Sequence, residues 1–417
     1  MIDIIETLNR TAKLALDDGS AASIEEAMDR FKSFHLQIAV GNDVAGSPAL
    51  QAALVTMLNA APRTFLGTVS VVGNLDAVLQ IGWFRYQTVR SVAALFGVTA
   101  VDAVQFHPTV KIGHVDLAVE HPFALNLACD QRGFRLSPEP LTSFPHAANI
   151  PAGVAAAGAT LNEAFHFTYF HRGWAGQRDI AFLLPPGAHA ALRLPESLWF
   201  IGLGHLGQAM MWTMGLAQVD GARSPRLRLQ DDDTITQASL STGLLTKQAN
   251  IGKLKVDIVA DDMTRLGFAC ERLTTRVDIS SGPIRTSDTC MVCVDSFGFR
   301  RQLDKIQSPS IIEGGIGDGL AGFTRLQIHR FPGTRKAADV WMGADPNSTR
   351  SISVATSAYQ KLIDQSGDEC GTTLLAGRSV ATPFIGAFAG AYMYAVLAAG
   401  DKCDADTLTL DVSHLSP

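Results

Sequence analysis

The chain has 417 residues, of which 47% are hydrophobic and 18% charged, and its formal net charge is −6. This length predicts two or three domains, and the apolar share predicts large buried cores. The negative charge and the lack of a basic run argue against nucleic acid or an anionic membrane as the main partner. The six cysteines are scattered, which is typical of a reducing cytoplasmic compartment and not of a disulfide framework.

The first half of the chain begins with a strand, a turn and an apolar helix. An apolar run at residues 35–40 leads into Gly41 and Gly46, and the helix continues to about Ala60. Asp43 stands where a phosphate-binding loop would have its second glycine, and a carboxylate there would repel a phosphate. No acid ends the next strand-like run, residues 68–72. We therefore expect this half to keep a nucleotide-binding fold without its ligand.

Two segments rich in Gly and Ala, residues 150–165 and 382–397, begin with proline, which suits the first turn of a helix. Their similarity predicts a duplicated chain, with one domain at 1–190 and the other at 191–417. We expect two Rossmann-like α/β domains with mainly parallel sheets, arranged as a pseudo-symmetric pair like a homodimer.

Residues 380–400 carry no charge and are long enough to cross a bilayer. Because they stand alone in an otherwise globular chain and are rich in small residues, we expect a buried helix at an internal interface. No membrane partner is predicted.

The second half opens on an apolar strand that runs into a GxGxxG loop formed by Gly202, Gly204 and Gly207. Such a loop makes a tight turn, brings the backbone close to a phosphate and lets the helix pack on the strand. Asp231 follows the next strand-like run, residues 226–230, where a ribose-binding carboxylate belongs, although the usual spacing is only about 20 residues. The pattern predicts nucleotide binding.

Further blocks follow in a fixed order, and together they resemble the adenylation domain of the ThiF/MoeB/ubiquitin-activating-enzyme superfamily. The resemblance covers residues 200–400, and its blocks are Asp231 with Asp233, Lys255, Asp295 with Arg300, residues 309–322, and Cys370. It implies an active domain at 191–417 paired with a degenerate, inactive one at 1–190. Bacteria encode similar tandem proteins beside ubiquitin-like conjugation operons, often linked to phage defence.

The resemblance implies that ATP and Mg²⁺ are used to adenylate the C-terminal carboxylate of a ubiquitin-like (β-grasp) protein. Lys255 matches a phosphate-contacting lysine and Asp295 a Mg²⁺ ligand. Asp231 would bind ribose, with Asp233 ordering the loop, and Arg300 would either face phosphate or brace Asp295. Implied partners are the ubiquitin-like protein and a conjugating enzyme, while a further homodimer stays open.

A second step would transfer the acyl group to a thiol. Cys370, which precedes Gly371 near the final helix, is the candidate nucleophile. Alternatively, the acyl-adenylate passes directly to the cysteine of a conjugating enzyme.

The chain departs from the family at three positions, where Ser239, Thr242 and Gly243 replace Asn, Arg and Gln. In the family, the Arg and Gln normally contact ATP. Loss of a bidentate charged donor is not a conservative change. Candidate replacements are two nearby lysines and two arginines of the first half: Lys247, Lys253, Arg10 and Arg30. Two other functions remain open: an NAD(P)-dependent oxidoreductase, and a non-catalytic adapter that binds a ubiquitin-like protein.

Overall fold

The computed structural model describes residues 8–141, 147–185, 194–218, 224–317, 319, 322–342, 357–366, 372, 376–377, 379–403 and 405–415. The first half of the chain contains a seven-stranded sheet in the order β3-β2-β1-β4-β5-β6-β7, whose neighbouring strands are parallel except that β6 is antiparallel to both β5 and β7. The strands are β1 (Leu36–Val40), β2 (Val69–Gly73), β3 (Thr99–Ala100), β4 (Thr109–Ile112), β5 (Ala124–Cys129), β6 (Gly133–Ser137) and β7 (Ile180–Leu183). The helices are α1 (Lys13–Asp17), α2 (Ile24–Lys32), α3 (Pro48–Ala60), α4 (Val89–Leu95) and α5 (Ile150–Phe170).

The second half forms another seven-stranded sheet, in the order β10-β9-β8-β12-β14-β15-β16, with β15 and β16 antiparallel. The strands are β8 (Ser197–Ile201), β9 (Arg226–Gln230), β10 (Cys270–Leu273), β12 (Thr289–Val292), β14 (Ile311–Ile316), β15 (Arg325–Phe331) and β16 (Thr407–Asp411), while β11 (Ile284–Arg285) and β13 (Ile306–Gln307) pair separately. The helices are α6 (His205–Ala217), α7 (Lys255–Thr264), α8 (Phe297–Arg300), α9 (Ala337–Val340), α10 (Ser357–Ser366) and α11 (Pro383–Ala399).

Both large sheets have the same topology. In each, the first strand lies at the centre, the second and third lie on one side, and the later four follow on the other. The central strands β1 and β8 are apolar and almost fully buried, as expected for parallel strands covered on both faces. The predicted fold class, two α/β domains with mainly parallel sheets, is confirmed.

Four helices form the contact between the halves: α3 and α5 from the first, α6 and α11 from the second. Helices α5 and α11 cross closely because small residues lie where they meet. A Cβ added to Gly158 would lie 2.5 Å from the Phe384 carbonyl oxygen and 2.8 Å from Phe388 Cβ. Residues 383–402 are the one helical segment in the described part of the chain that is long and apolar enough to span a membrane, and 89% of its most apolar window is buried inside the protein.

Polar side chains and tryptophans also join the halves, which the sequence did not predict. Trp83 stacks on Trp212 with ring centroids 5.5 Å apart, and its indole N–H donates to the Asp262 carbonyl at 2.9 Å. Arg178 donates to the Ser413 carbonyl at 2.8 Å. The interface is therefore both apolar and hydrogen-bonded.

Replacing Gly158 with valine is expected to destabilise the whole chain by about 3 kcal/mol, since the added atoms overlap α11. The free energy of unfolding, measured in urea, checks this. Gly173→Val is the control, because no described atom lies within 4 Å of a Cβ added there. Equal stability of the two variants would contradict the close helix crossing.

Candidate nucleotide site

The glycine loop after β8 needs glycine at two positions for steric reasons. Gly202 has a φ of +91°, and an added Cβ would lie 2.8 Å from the Cys293 carbonyl oxygen. A Cβ on Gly207 would press on the Gly202 carbonyl. Gly204 differs, because no described atom lies within 4 Å of its added Cβ. The loop thus leaves open space at the one glycine expected to meet a ligand.

Helix α6 begins at His205, directly after this open space. Gly204 is its N-cap residue, and no side chain in the described ranges caps the first turn. The backbone N–H groups of such a terminus and the helix dipole favour an anion. Because β8 is the central parallel strand, this terminus lies at the carboxyl edge of the sheet.

Asp231, at the end of β9, is bound to the glycine loop itself. Its carboxylate accepts the Leu203 N–H at 2.6 Å and the Asp233 N–H at 2.8 Å. Burial raises the pKa of the Asp231 carboxyl, although Lys255 and the two N–H donors oppose that shift. Asp231 therefore orders the loop, a role that the sequence had suggested for Asp233.

Lys255, the first residue of α7, lies beside the same acidic cluster. Its ammonium is 2.6 Å from an Asp233 carboxylate oxygen, and its backbone N–H donates to the Asp233 carbonyl at 3.0 Å. Asp232 pairs with Arg276 at 2.9 Å. Two cations thus pair with two of the three consecutive aspartates.

Asp295 follows β12, the neighbour of β8, so it belongs to the same carboxyl edge of the sheet as Gly204. Val292 pairs with Ile201, and Asp295 and Gly204 each follow three residues later. The Asp295 side chain is exposed, and none of the described residues donates a hydrogen bond to it. An exposed carboxylate at the same sheet edge as the α6 terminus is a type of ligand that suits Mg²⁺, which takes one or two carboxylates together with phosphate oxygens.

Arg300 is buried beneath the loop that carries Asp295. Its Nε donates to the Val294 carbonyl at 2.8 Å, and one terminal nitrogen donates to the Gly314 carbonyl at 3.3 Å. Nε is also 3.1 Å from a carboxylate oxygen of Glu313, without the geometry of a hydrogen bond. Burial raises the pKa of Glu313 to about 7, while Arg300 opposes that shift. These contacts brace the residue preceding Asp295.

The equivalent loop of the first half is filled by its own side chains. The Asp43 carboxylate accepts the His114 N–H at 2.9 Å, across the loop that follows β4. Ser47 caps α3 by accepting the Leu50 N–H at 3.3 Å, and Pro48 provides no N–H in the first turn. This helix terminus is therefore already capped, in contrast to that of α6.

The remaining candidate site residues lie in different parts of the structure. Lys247 and Lys253 are exposed, while Arg30 stacks on Tyr169 at 4.5 Å within the first half. Arg10 reaches the second half, where its N–H donates to Ser241 Oγ at 3.0 Å. Cys370 lies outside the described residues.

Sequence reasoning missed two polar residues near the site. Gln208, on α6, donates to the Leu203 carbonyl of the glycine loop at 3.0 Å. Arg63, from the first half, donates to the carbonyls of Leu240 and Thr246 in the second half. The position of Gln208 directly after the GxGxxG motif could have indicated its role, whereas no local sequence pattern marks Arg63.

Comparison with known proteins identifies the family. A model of the BilD N-terminal domain matches residues 35–184, and a model of the BilD C-terminal domain matches residues 194–400. The chain belongs to the BilD family. The bacterial E1-like protein BilD of Collimonas sp. (strain OK412) is 33% identical to it over 403 residues, 92% of this chain and 86% of that protein. That name agrees with the superfamily which the sequence resembles.

Solved structures similar to this BilD-family chain include Escherichia coli MccB. MccB with MccA-N7isoASN aligns at 10% identity and a TM-score of 0.34, over 53% of this chain and 62% of that chain. MccB by itself aligns at 12% identity and a TM-score of 0.35, over 53% and 60%. The BilD-family chain therefore spans less than two thirds of the MccB chains it matches.

Proposed function

We propose that this chain is an E1-like adenylating enzyme that uses ATP and Mg²⁺ to activate the C-terminal carboxylate of a ubiquitin-like protein. The observation that carries the proposal is the uncapped N-terminus of α6, with open space at Gly204. Asp231, Lys255 and Asp295 lie around the same edge of the sheet. Membership of a family with a relative named E1-like supports this chemistry.

In this reaction a carboxylate oxygen attacks the α-phosphorus of ATP, an acyl–phosphate bond forms, and pyrophosphate leaves. Because an anion approaches a polyanion, the site must offset charge and hold the reactants in line. The α6 terminus supplies positive potential on the chain side, and Lys255 would add to it once a phosphate displaces its bond to Asp233. Asp231 is proposed to bind ribose while it holds the loop. Magnesium bound by Asp295 would offset the phosphate charge when present.

The first half is proposed to be the inactive copy, since Asp43 and Ser47 occupy its loop and helix terminus. Its contribution to the chemistry would come through residues that reach the second half. Arg10 is our candidate for the missing family arginine, because its backbone is bound to Ser241, next to Thr242. Arg30 is held on Tyr169 and is not proposed for this role.

We expect Asp43→Gly to create no second nucleotide site. The substitution removes the carboxylate but leaves Ser47 and Pro48 at the helix terminus, so few free N–H groups become available. Titration calorimetry with Mg²⁺ and a non-hydrolysable ATP analogue should give one site per chain before and after the change. Two sites of similar affinity in the unsubstituted chain would contradict the inactive assignment, and a second site in the variant alone would contradict the blocking role of Ser47 and Pro48.

The thiol step is proposed to take place on another protein or on Cys370. Burial raises the pKa of four described thiols, which disfavours the reactive thiolate: Cys129, Cys270, Cys290 and Cys293. Two of these thiols, Cys290 and Cys293, have pKa values of about 11 and 12. These four thiols are therefore disfavoured as nucleophiles, and the proposed acceptors are Cys370 and the cysteine of a conjugating enzyme.

A non-catalytic adapter is the second candidate, and one observation favours it. Thr242 and Gly243 bring no charged donor to the positions where the family has Arg and Gln. Such a chain would bind the ubiquitin-like protein without forming an adenylate.

ATP–pyrophosphate exchange tests the proposal and separates the two candidates. The full chain is mixed with a candidate ubiquitin-like protein, ATP, Mg²⁺ and labelled pyrophosphate. Incorporation of label into ATP that requires a free C-terminal carboxylate on the partner supports adenylation. Binding of the partner without exchange would instead support the adapter.

A further inference from the structure

The glycine loop is hydrogen-bonded on its inner side to Gln208. The side-chain amide of Gln208 donates to the Leu203 carbonyl at 3.0 Å, while its oxygen accepts the Leu245 N–H at 3.1 Å. Gln208 is only 2% exposed, so both bonds are shielded from water. Leu203 is in turn bound through its N–H to Asp231. The position of the loop therefore depends on residues 240–246, to which Gln208 ties it.

Residues 240–246 are themselves held by the first half of the chain. Asn59, on α3, donates to the Leu244 carbonyl at 2.9 Å. The Arg63 guanidinium donates to the Leu240 carbonyl, to the Thr246 carbonyl at 3.2 Å and to Thr246 Oγ1 at 3.3 Å. It is oriented by Asn59, whose side-chain oxygen accepts from it at 2.7 Å. The Arg63 guanidinium thus binds two carbonyl groups and one hydroxyl group of the second half.

Residues 240–246 pack closely against α6 and contain little regular secondary structure. A Cβ added to Gly243 would lie 2.6 Å from the Gln208 side-chain oxygen, so the glycine lets the segment approach α6. Only a short 3₁₀ turn, Ala238–Ser241, provides regular structure here. Bonds to charged donors are stronger than those between neutral groups, so Arg63 contributes more than a single neutral bond would.

We infer that Arg63 and Asn59 are positioning residues by which the first half fixes the nucleotide loop of the second, through residues 240–246 and Gln208. The inference rests on the proposed nucleotide site for its effect on binding. The first half, on this view, shapes the site although it binds no nucleotide. The path is continuous: Arg63 to Leu240 and Thr246, Leu245 to Gln208, and Gln208 to Leu203.

The test is Arg63→Lys in the full chain, because lysine loses the planar fork that reaches two carbonyls. We expect amide hydrogen exchange at residues 203–208 to become about tenfold faster, and the Kd for a Mg²⁺-bound, non-hydrolysable ATP analogue to rise about tenfold. Gln208→Met, which removes the last link, should have the same two effects without touching the first half.

Arg178→Lys is the matched control. Arg178 also crosses between the halves and donates to a carbonyl, that of Ser413, but its contacts lead away from the glycine loop. We expect it to lower stability without changing exchange at residues 203–208 or the Kd. A merely structural role for Arg63 would make the two arginine variants behave alike.

The outcomes separate this inference from the proposed function. If the unmodified chain binds no nucleotide, the proposed function fails, while hydrogen exchange at the loop still decides the inference. If both Arg63→Lys and Gln208→Met leave loop exchange unchanged, the inference is overturned. Faster exchange in Gln208→Met alone would also overturn it, because the first half would then play no part.

Discussion

Gly204→Asp is expected to abolish nucleotide binding while leaving the fold intact. The position has a φ of −74°, and no described atom lies within 4 Å of an added Cβ, so the chain can accommodate the side chain. The new carboxylate would lie where a phosphate meets the α6 terminus. Two like charges about 4 Å apart repel by roughly 4 kcal/mol near a protein surface, so the Kd should rise at least about 100-fold.

Titration calorimetry with Mg²⁺ and a non-hydrolysable ATP analogue measures this loss, and thermal unfolding checks the fold. Gly204→Asn is the control, since it adds similar bulk without the charge, and it should lose only about tenfold in affinity. Wild-type affinity in the Gly204→Asp variant would show that the nucleotide does not bind at this loop.

Asp295→Asn is expected to remove Mg²⁺-dependent turnover. The substitution keeps the size of the side chain but removes the charge that attracts the cation, and the exposed residue takes no hydrogen bond from the described part of the chain. Pyrophosphate exchange at saturating Mg²⁺ should fall about 100-fold, which corresponds to about 2.7 kcal/mol of barrier. The free energy of unfolding should not change.

Asp278→Asn provides the comparison, because Asp278 is also an exposed loop aspartate but bonds locally to Ser280. The Asp278→Asn variant should catalyse ATP–pyrophosphate exchange at the wild-type rate. Unchanged exchange in Asp295→Asn would reject the metal assignment. A loss that higher Mg²⁺ concentrations partly restore would support it.

The sequence was sufficient for the parts of the fold that depend on local pattern. The apolar run before Gly202 predicted a strand, residues 226–230 coincide with β9, and Pro383 begins α11 as expected. The duplication was readable because both halves repeat a strand, a glycine turn and an apolar helix.

The candidate site was less predictable because its details depend on contacts between distant residues. Whether Arg300 faces solvent or lies beneath the loop depends on Glu313 and the Val294 carbonyl, which only the folded sheet brings together. Asp43 was recognised as unfavourable to phosphate, but its bond to His114 spans 71 residues. Arg63 reaches Leu240 across 177 residues, and no spacing rule connects the two.

The crossing of α5 on α11 has a consequence for synthesis. Domains generally fold as units, the N-terminal one first, while the ribosome is still elongating the chain. Here nearly every residue of α5 is buried, and α11, which covers part of it, is translated more than 200 residues later. Until α11 is synthesised, the nascent N-terminal half exposes the apolar surface of α5 that α11 later covers. Chaperone dependence and aggregation during expression should therefore be greatest in truncations that stop before Pro383.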